Sequence, residues 1–241
     1  MSFWTIFILF FFPLCGGILA AVIKEEKTLQ LRLFLAFSGA FLISVCSLNI
    51  LPEIYSKTDL SIGYYVLIGF FLQIVIDQFS KGIEHGHLHI HDVQKVPYSV
   101  FIALSIHAFM EGMGVGSNIF EKQVQNNLVY GIALHEIPAA FALVTVLKHS
   151  TKDSKFIYFW LFAYALMVPA GAILSEILQG ASVLDNDFFF KLMAVVAGVF
   201  LHISTTILFE NSDNHRFTRY KLVAIVCGVG LALLAANFHM D

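Results

Sequence analysis

Apolar residues run through the chain in block after block, parted by short stretches where Lys, Asp, Asn, Ser and His collect. Crossing a bilayer takes about 20 mostly apolar residues in one helix. On that measure the blocks place spans near residues 3–23, 31–52, 62–81, 97–119, 126–148, 156–179, 187–209 and 219–238. The pattern therefore predicts an all-α membrane protein with eight transmembrane helices. Residues 1–241 form a single polytopic transmembrane domain, and the longest polar interruption is a histidine-rich loop at 82–96. The first block, Trp4 to Val22, lacks the basic leader and small-residue cleavage site of a signal peptide, so it is read as span one.

Composition supports the same class. Hydrophobic residues are 58% of the chain and charged residues 13%, about half the charged share of a soluble domain. Mean hydropathy is +0.79. The formal charge of −3 gives nucleic acid no basic footprint, so no such partner is expected. Cys15, Cys46 and Cys227 all fall within spans, an odd set that does not suggest a disulfide framework.

The positions of the basic residues set an expected orientation. Lys24, Lys27 and Arg32 lie between spans one and two, and Lys81 and Lys95 between three and four. Lys148, Lys152 and Lys155 lie at the end of span five and after it, and Arg216, Arg219 and Lys221 lie between seven and eight or at the start of eight. Cytoplasmic loops carry the excess of Lys and Arg. These alternate loops should thus be cytoplasmic, with both termini on the non-cytoplasmic side of the cell membrane.

Ionisable groups inside hydrocarbon are costly, and they usually face a protein interior or a watery path. Span four reads Ser105-Ile-His107-Ala-Phe-Met-Glu111-Gly-Met-Gly-Val-Gly116-Ser-Asn118. His107 and Glu111, at i and i+4, share a helical face, and Gly114 and Asn118 continue the stripe. An imidazole and a carboxylate one turn apart can hold a divalent metal; the alternative is a buried hydrogen bond that only ties helices together. Span five reads Gly131-Ile-Ala-Leu-His135-Glu136-Ile-Pro138-Ala139-Ala140. Pro138 cannot donate to the Leu134 carbonyl and should kink the helix, and backbone oxygens freed beside a cavity bind ions in transporters. Gly131, His135, Ala139 and Ala142 form a small-residue stripe suited to packing on the glycines of span four. Side by side, the two helices could gather His107, Glu111, His135 and Glu136 around one ion.

Weaker signals surround this core. His85, His87, His89 and His91 alternate in the loop after span three, as in a loose metal collector. Gln73, Asp77, Ser80 and Glu84 make a polar stripe leading towards them, with Asp77 an expected path residue. His202, Thr206 and Glu210 stack on span seven, where His202 serves either a path or an interhelical hydrogen bond. Asn118 at the end of span four is a further path candidate. Ser47-Leu-Asn-Ile-Leu-Pro-Glu53 echoes Ser204-Thr-Thr-Ile-Leu-Phe-Glu210, which hints at an inverted repeat of spans one to three and six to eight.

Taken together, these motifs make the chain resemble the ZIP (Zrt-, Irt-like) family of divalent metal transporters. The resemblance is carried by Leu51-Pro52-Glu53, the histidine loop, H-x-x-x-E-G at His107, Glu111 and Gly112, H-x-x-P at His135 and Pro138, and Ala197-Gly-Val-Phe-Leu201. It implies uptake of Zn²⁺, or of Fe²⁺, Mn²⁺ or Cd²⁺, as substrate, with no prosthetic group. The implied site lies between spans four and five, and one helix bundle moves against another. The implied partners are the metal ions and the lipid bilayer, with a homodimer allowed.

The sequence also departs from the family pattern. Ala139 stands where a glutamate or histidine is usual, Ala108 where Asn or Ser is frequent, and Val168-Pro169 where Glu-Pro is. A second metal position is therefore expected to be missing. Glu136 is the candidate replacement acid: three residues before Ala139, it lies about 60° away in projection and roughly 4.5 Å along the axis. Mixed imidazole and carboxylate ligands suit Zn²⁺ and its neighbours. Two other readings remain at this point. One is a metal-sensing membrane protein that does not transport; the other is an intramembrane zinc hydrolase, which H-E-x-x-H would support but Ala139 breaks.

Overall fold

The computed structural model describes residues 1–23, 28–80, 98–117, 119–210 and 219–237. Among these there are helices and no strands. Eight are long and apolar enough to cross a membrane: Phe3–Val22, Leu31–Lys57, Ile62–Phe79, Tyr98–Gly116, Lys122–Ser150, Ser154–Gly180, Asn186–Phe209 and Arg219–Ala236. They match the expected spans in number and order, although the ends of several run a few residues longer.

Span one is α1 (Phe3–Val22). Span two is α2 (Thr28–Val45) and α3 (Leu51–Lys57), joined by a π-helical turn over Cys46–Ile50. Spans three, four and five are α4 (Ile62–Ser80), α5 (Tyr98–Gly116) and α6 (Lys122–Ser150). Span six divides into α7 (Ser154–Ala165) and α8 (Met167–Gly180). Spans seven and eight are α9 (Asn186–Glu210) and α10 (Arg219–Asn237).

Both irregular spans are explained by a proline. In span two the Leu51 N–H reaches back to the Cys46 carbonyl, five residues away. Pro52, the next residue, has no N–H to offer Leu48, so the wide turn sits where the ordinary ladder would break. In span six Pro169 has no N–H to offer the carbonyl four residues earlier, that of Ala165, where α7 ends. In span five the chain behaves differently, for α6 runs unbroken through Pro138.

The most extensive packing joins α1 to α6, α5 to α8, α4 to α9 and α2 to α10. Exchanging spans one, two and three with six, seven and eight, and four with five, turns this set of pairs into itself. That is the symmetry expected of a repeat. The pairs also sort the helices into two groups, α1 with α5–α8 and α2–α4 with α9 and α10. They meet chiefly where α2 lies on α6 and α4 on α5.

Glycine allows the closest of these approaches. A methyl group on Gly112 would lie 2.0 Å from the Val168 carbonyl oxygen, and one on Gly116 2.0 Å from that of Ala172. Gly171 answers from α8 against the Phe109 oxygen at 2.1 Å. The backbones of α5 and α8 therefore touch, as small residues permit inside membranes. This corrects one sequence expectation: the glycines of span four do not receive the stripe of span five. Gly112 and Gly116 pack on α8 and Gly114 against Met193 of α9, while Gly131 faces Phe41 and Leu42 of α2.

Candidate metal-transport site

On α5 the buried face carries His107, Glu111, Gly114 and Val115; on α6 it carries Gly131, His135, Glu136 and Ala139. His107, Glu111, His135 and Glu136 are each at most 1% exposed. The helical one-turn spacing brings His107 Nε2 to 2.9 Å from Glu111 Oε1. Across the α5–α6 contact, the His107 and His135 rings meet edge to face with centroids 5.8 Å apart.

One ligand atom from each of His107, Glu111 and His135 lies within 4.8 Å of the other two. A carboxylate and two imidazoles so placed can close on one ion from a single side, with the remaining coordination left to water or a neighbour. Burying charge in an apolar interior is expensive unless it is neutralised, and a dication between these groups would supply that neutralisation.

Glu136 is not part of this trio. Its carboxylate neighbours Glu111 and His107 on α5, and Tyr164, near the end of α7, is fully buried. Ala139, Ala108 and Val168 are all fully buried, so the places where the family has further polar residues are filled by apolar side chains. Tyr164 was not singled out in the sequence, where a lone tyrosine in an aromatic-rich span carries no signal.

The weaker candidates fall elsewhere. Asp77 Oδ2 lies 2.7 Å from His202 Nε2, joining α4 to α9. Gln73 Nε2 donates to Asp77 Oδ1 at 2.7 Å, and Thr206 Oγ1 is 3.5 Å from His202 Nε2. The edge of the His202 ring also meets Phe70. Asp77 and His202 thus form one polar linkage between neighbouring spans. His85, His87, His89, His91 and Asn118 lie outside the described residues.

Comparison with known proteins then decides the family. A sequence model of the ZIP Zinc transporter family matches residues 82–236, which include both site helices. The chain belongs to the ZIP zinc transporter family. Protein zntD of Dictyostelium discoideum is 29% identical to it over 148 residues, covering 56% of this chain and 22% of zntD. Zinc transporter ZIP9-A of Xenopus laevis is 26% identical over 165 residues, covering 63% of this chain and 52% of its own. The ZIP chain thus spans about half the length of the ZIP9 protein and about a fifth of zntD. Zinc transporter ZupT of Chlorobium phaeovibrioides is 26% identical over 244 residues, with 91% of each chain covered. With these relatives, the ZIP assignment favours a transporter over a hydrolase.

Proposed function

We propose that this ZIP chain carries Zn²⁺ across a cell membrane into the cytoplasm, through a single-ion centre made by His107, Glu111 and His135. The observation that carries this reading is the convergence of three buried ligand atoms from two adjacent spans within 4.8 Å. Imidazole nitrogen with carboxylate oxygen suits Zn²⁺, and also Fe²⁺, Mn²⁺ or Cd²⁺, better than it suits Mg²⁺ or Ca²⁺. A three-atom protein ligand set is incomplete, and incompleteness favours release. Glu136 neighbours Glu111, where it can add negative charge once an ion is bound, and it stands three residues before Ala139 on the same helix.

To bind the ion, Glu111 must be ionised and both imidazoles must offer a lone pair, so metal and protons compete. The His107–Glu111 contact is the arrangement that an incoming dication would split, taking one atom from each. Movement of the α1, α5–α8 group against the α2–α4, α9, α10 group would expose the buried centre to either side in turn. Asp77 and His202, on the other group, would line the cytoplasmic part of the route. The distribution of Lys and Arg supports both termini lying outside the cytoplasm.

The test is zinc accumulation by the purified chain in proteoliposomes, across a panel of divalent metals. We expect saturable zinc uptake by the native chain and none above background for Glu111→Ala. Equal uptake by the two would remove the centre from the pathway.

A further inference from the structure

The end of α1, the end of α6 and the start of α7 come together around a cavity of about 250 Å³. Its polar wall is made by Lys148, Thr151, Lys152, Ser154 and Tyr158, together with Ala21 of α1. Lys148 Nζ donates to the carbonyls of Ala20 at 2.8 Å and Ile23 at 2.9 Å. An ammonium group has three donors, so one remains. The two carbonyls are neutral, and they fix the side chain without cancelling its charge. Among the described residues no carboxylate pairs with Lys148 or Lys152.

The rest of the wall offers donors too. Thr151 Oγ1 accepts the Asp153 N–H at 3.2 Å, which leaves its own hydrogen free to donate. Asp153 is absent from the wall, and its Oδ1 accepts the Lys155 N–H at 3.0 Å. Because α7 begins at Ser154, the positive end of its dipole lies at the same place. Two ammonium groups beside hydroxyls repel a metal ion and suit a phosphate. Deeper in the span, Tyr158 and Phe162 share one face of α7 and are 46% and 51% exposed. Phe162 also meets Phe10 of α1 edge to face, with centroids 5.6 Å apart. The cationic cavity thus continues into an apolar seam between α1 and α7, and a charged head over apolar chains is the shape of a lipid.

We propose that this cavity binds the phosphate of an anionic phospholipid, held by Lys148 and Lys152 with the Thr151 and Ser154 hydroxyls, while the acyl chains follow the α1–α7 seam. Under the orientation proposed above, this end of the bundle meets the cytoplasmic leaflet, where anionic lipids collect. The bound lipid would brace the end of α1 against α6 and the start of α7. None of His107, Glu111 and His135 lines the cavity, and zinc uptake is not needed for it to hold lipid.

The test is lipid binding to the purified full chain in detergent, read by native mass spectrometry and by melting temperature. The probes are phosphatidylglycerol, phosphatidylcholine and inorganic phosphate. Phosphatidylglycerol should bind more tightly than phosphatidylcholine and raise the melting temperature, and inorganic phosphate should not raise it. Lys152 is exposed, so Lys152→Glu leaves packing alone, and melting without lipid checks that the bundle is intact. It should weaken phosphatidylglycerol binding roughly tenfold, in the range for one hydrogen bond to a charged group. Lys152→Gln, which removes the charge without reversing it, should lose part of the same affinity. Lys155 is exposed and outside the wall, so Lys155→Glu should bind phosphatidylglycerol almost as the native chain does. Native affinity in both Lys152 variants, or an equal loss in Lys155→Glu, would overturn the proposal, because either result removes the cavity from the binding. Equal binding of phosphatidylcholine would overturn the anionic headgroup. An equal rise in melting temperature with inorganic phosphate would make the site one for a free anion and overturn the lipid.

Discussion

At the scale of single residues, the site is an exercise in concentrating costly groups. His107, Glu111, His135 and Glu136 are buried almost completely, yet each alone would be unfavourable in hydrocarbon. Of the four, His107, Glu111 and His135 bring their ligand atoms close enough for one divalent ion to balance the charge. His107→Ala should therefore bring zinc uptake to background while the protein still reaches the membrane, measured as uptake against the amount of chain in the same vesicles. The i, i+4 spacing made His107 and Glu111 legible in the sequence, because one turn of helix places such a pair side by side whatever else surrounds it. His135 was legible as a polar residue in the middle of an apolar span. The relation of Glu136 to the trio was not, since it depends on how α6 is rotated against α5.

At the scale of elements, helix contact is set by glycines and helix continuity by prolines. Gly112, next to Glu111, has the Val168 backbone where a side chain would begin. Gly112→Ala should cost about 1–3 kcal/mol, as overpacking does. That cost would show as a lower melting temperature and weaker zinc binding, since α5 must yield. The eight spans were legible from the length of their apolar blocks. The π turn before Pro52 and the break before Pro169 were not, although both prolines stood in plain view; a proline in a membrane span can kink, widen or leave a helix whole, as Pro138 does in α6. Packing direction was misjudged for the glycines of span four, because a small-residue stripe shows that a helix can be approached closely and not by which neighbour. Between α4 and α9, the Asp77–His202 contact ties two spans on the other side of the molecule. If the pair lines the route, Asp77→Asn should slow zinc uptake severalfold with little change in melting temperature; uptake at the native rate would count against that role.

At the scale of the whole molecule, helix packing divides the bundle into two groups, each turned into itself by exchange of the chain's halves, with the buried centre inside one of them. A fixed group and a moving one would give such a centre access to both faces without opening a continuous pore. The proposed orientation rests on the placement of eleven of the fourteen basic residues in or beside alternate loops. Short epitope tags added at residue 1 and at residue 241 should both be reachable by antibody in intact cells, and neither should need permeabilisation. The most direct measurement of the central idea, that zinc crosses through His107, Glu111 and His135, is zinc uptake into proteoliposomes holding equal amounts of native chain or Glu111→Ala. We expect saturable accumulation in the first and background in the second; matching accumulation in both would contradict it.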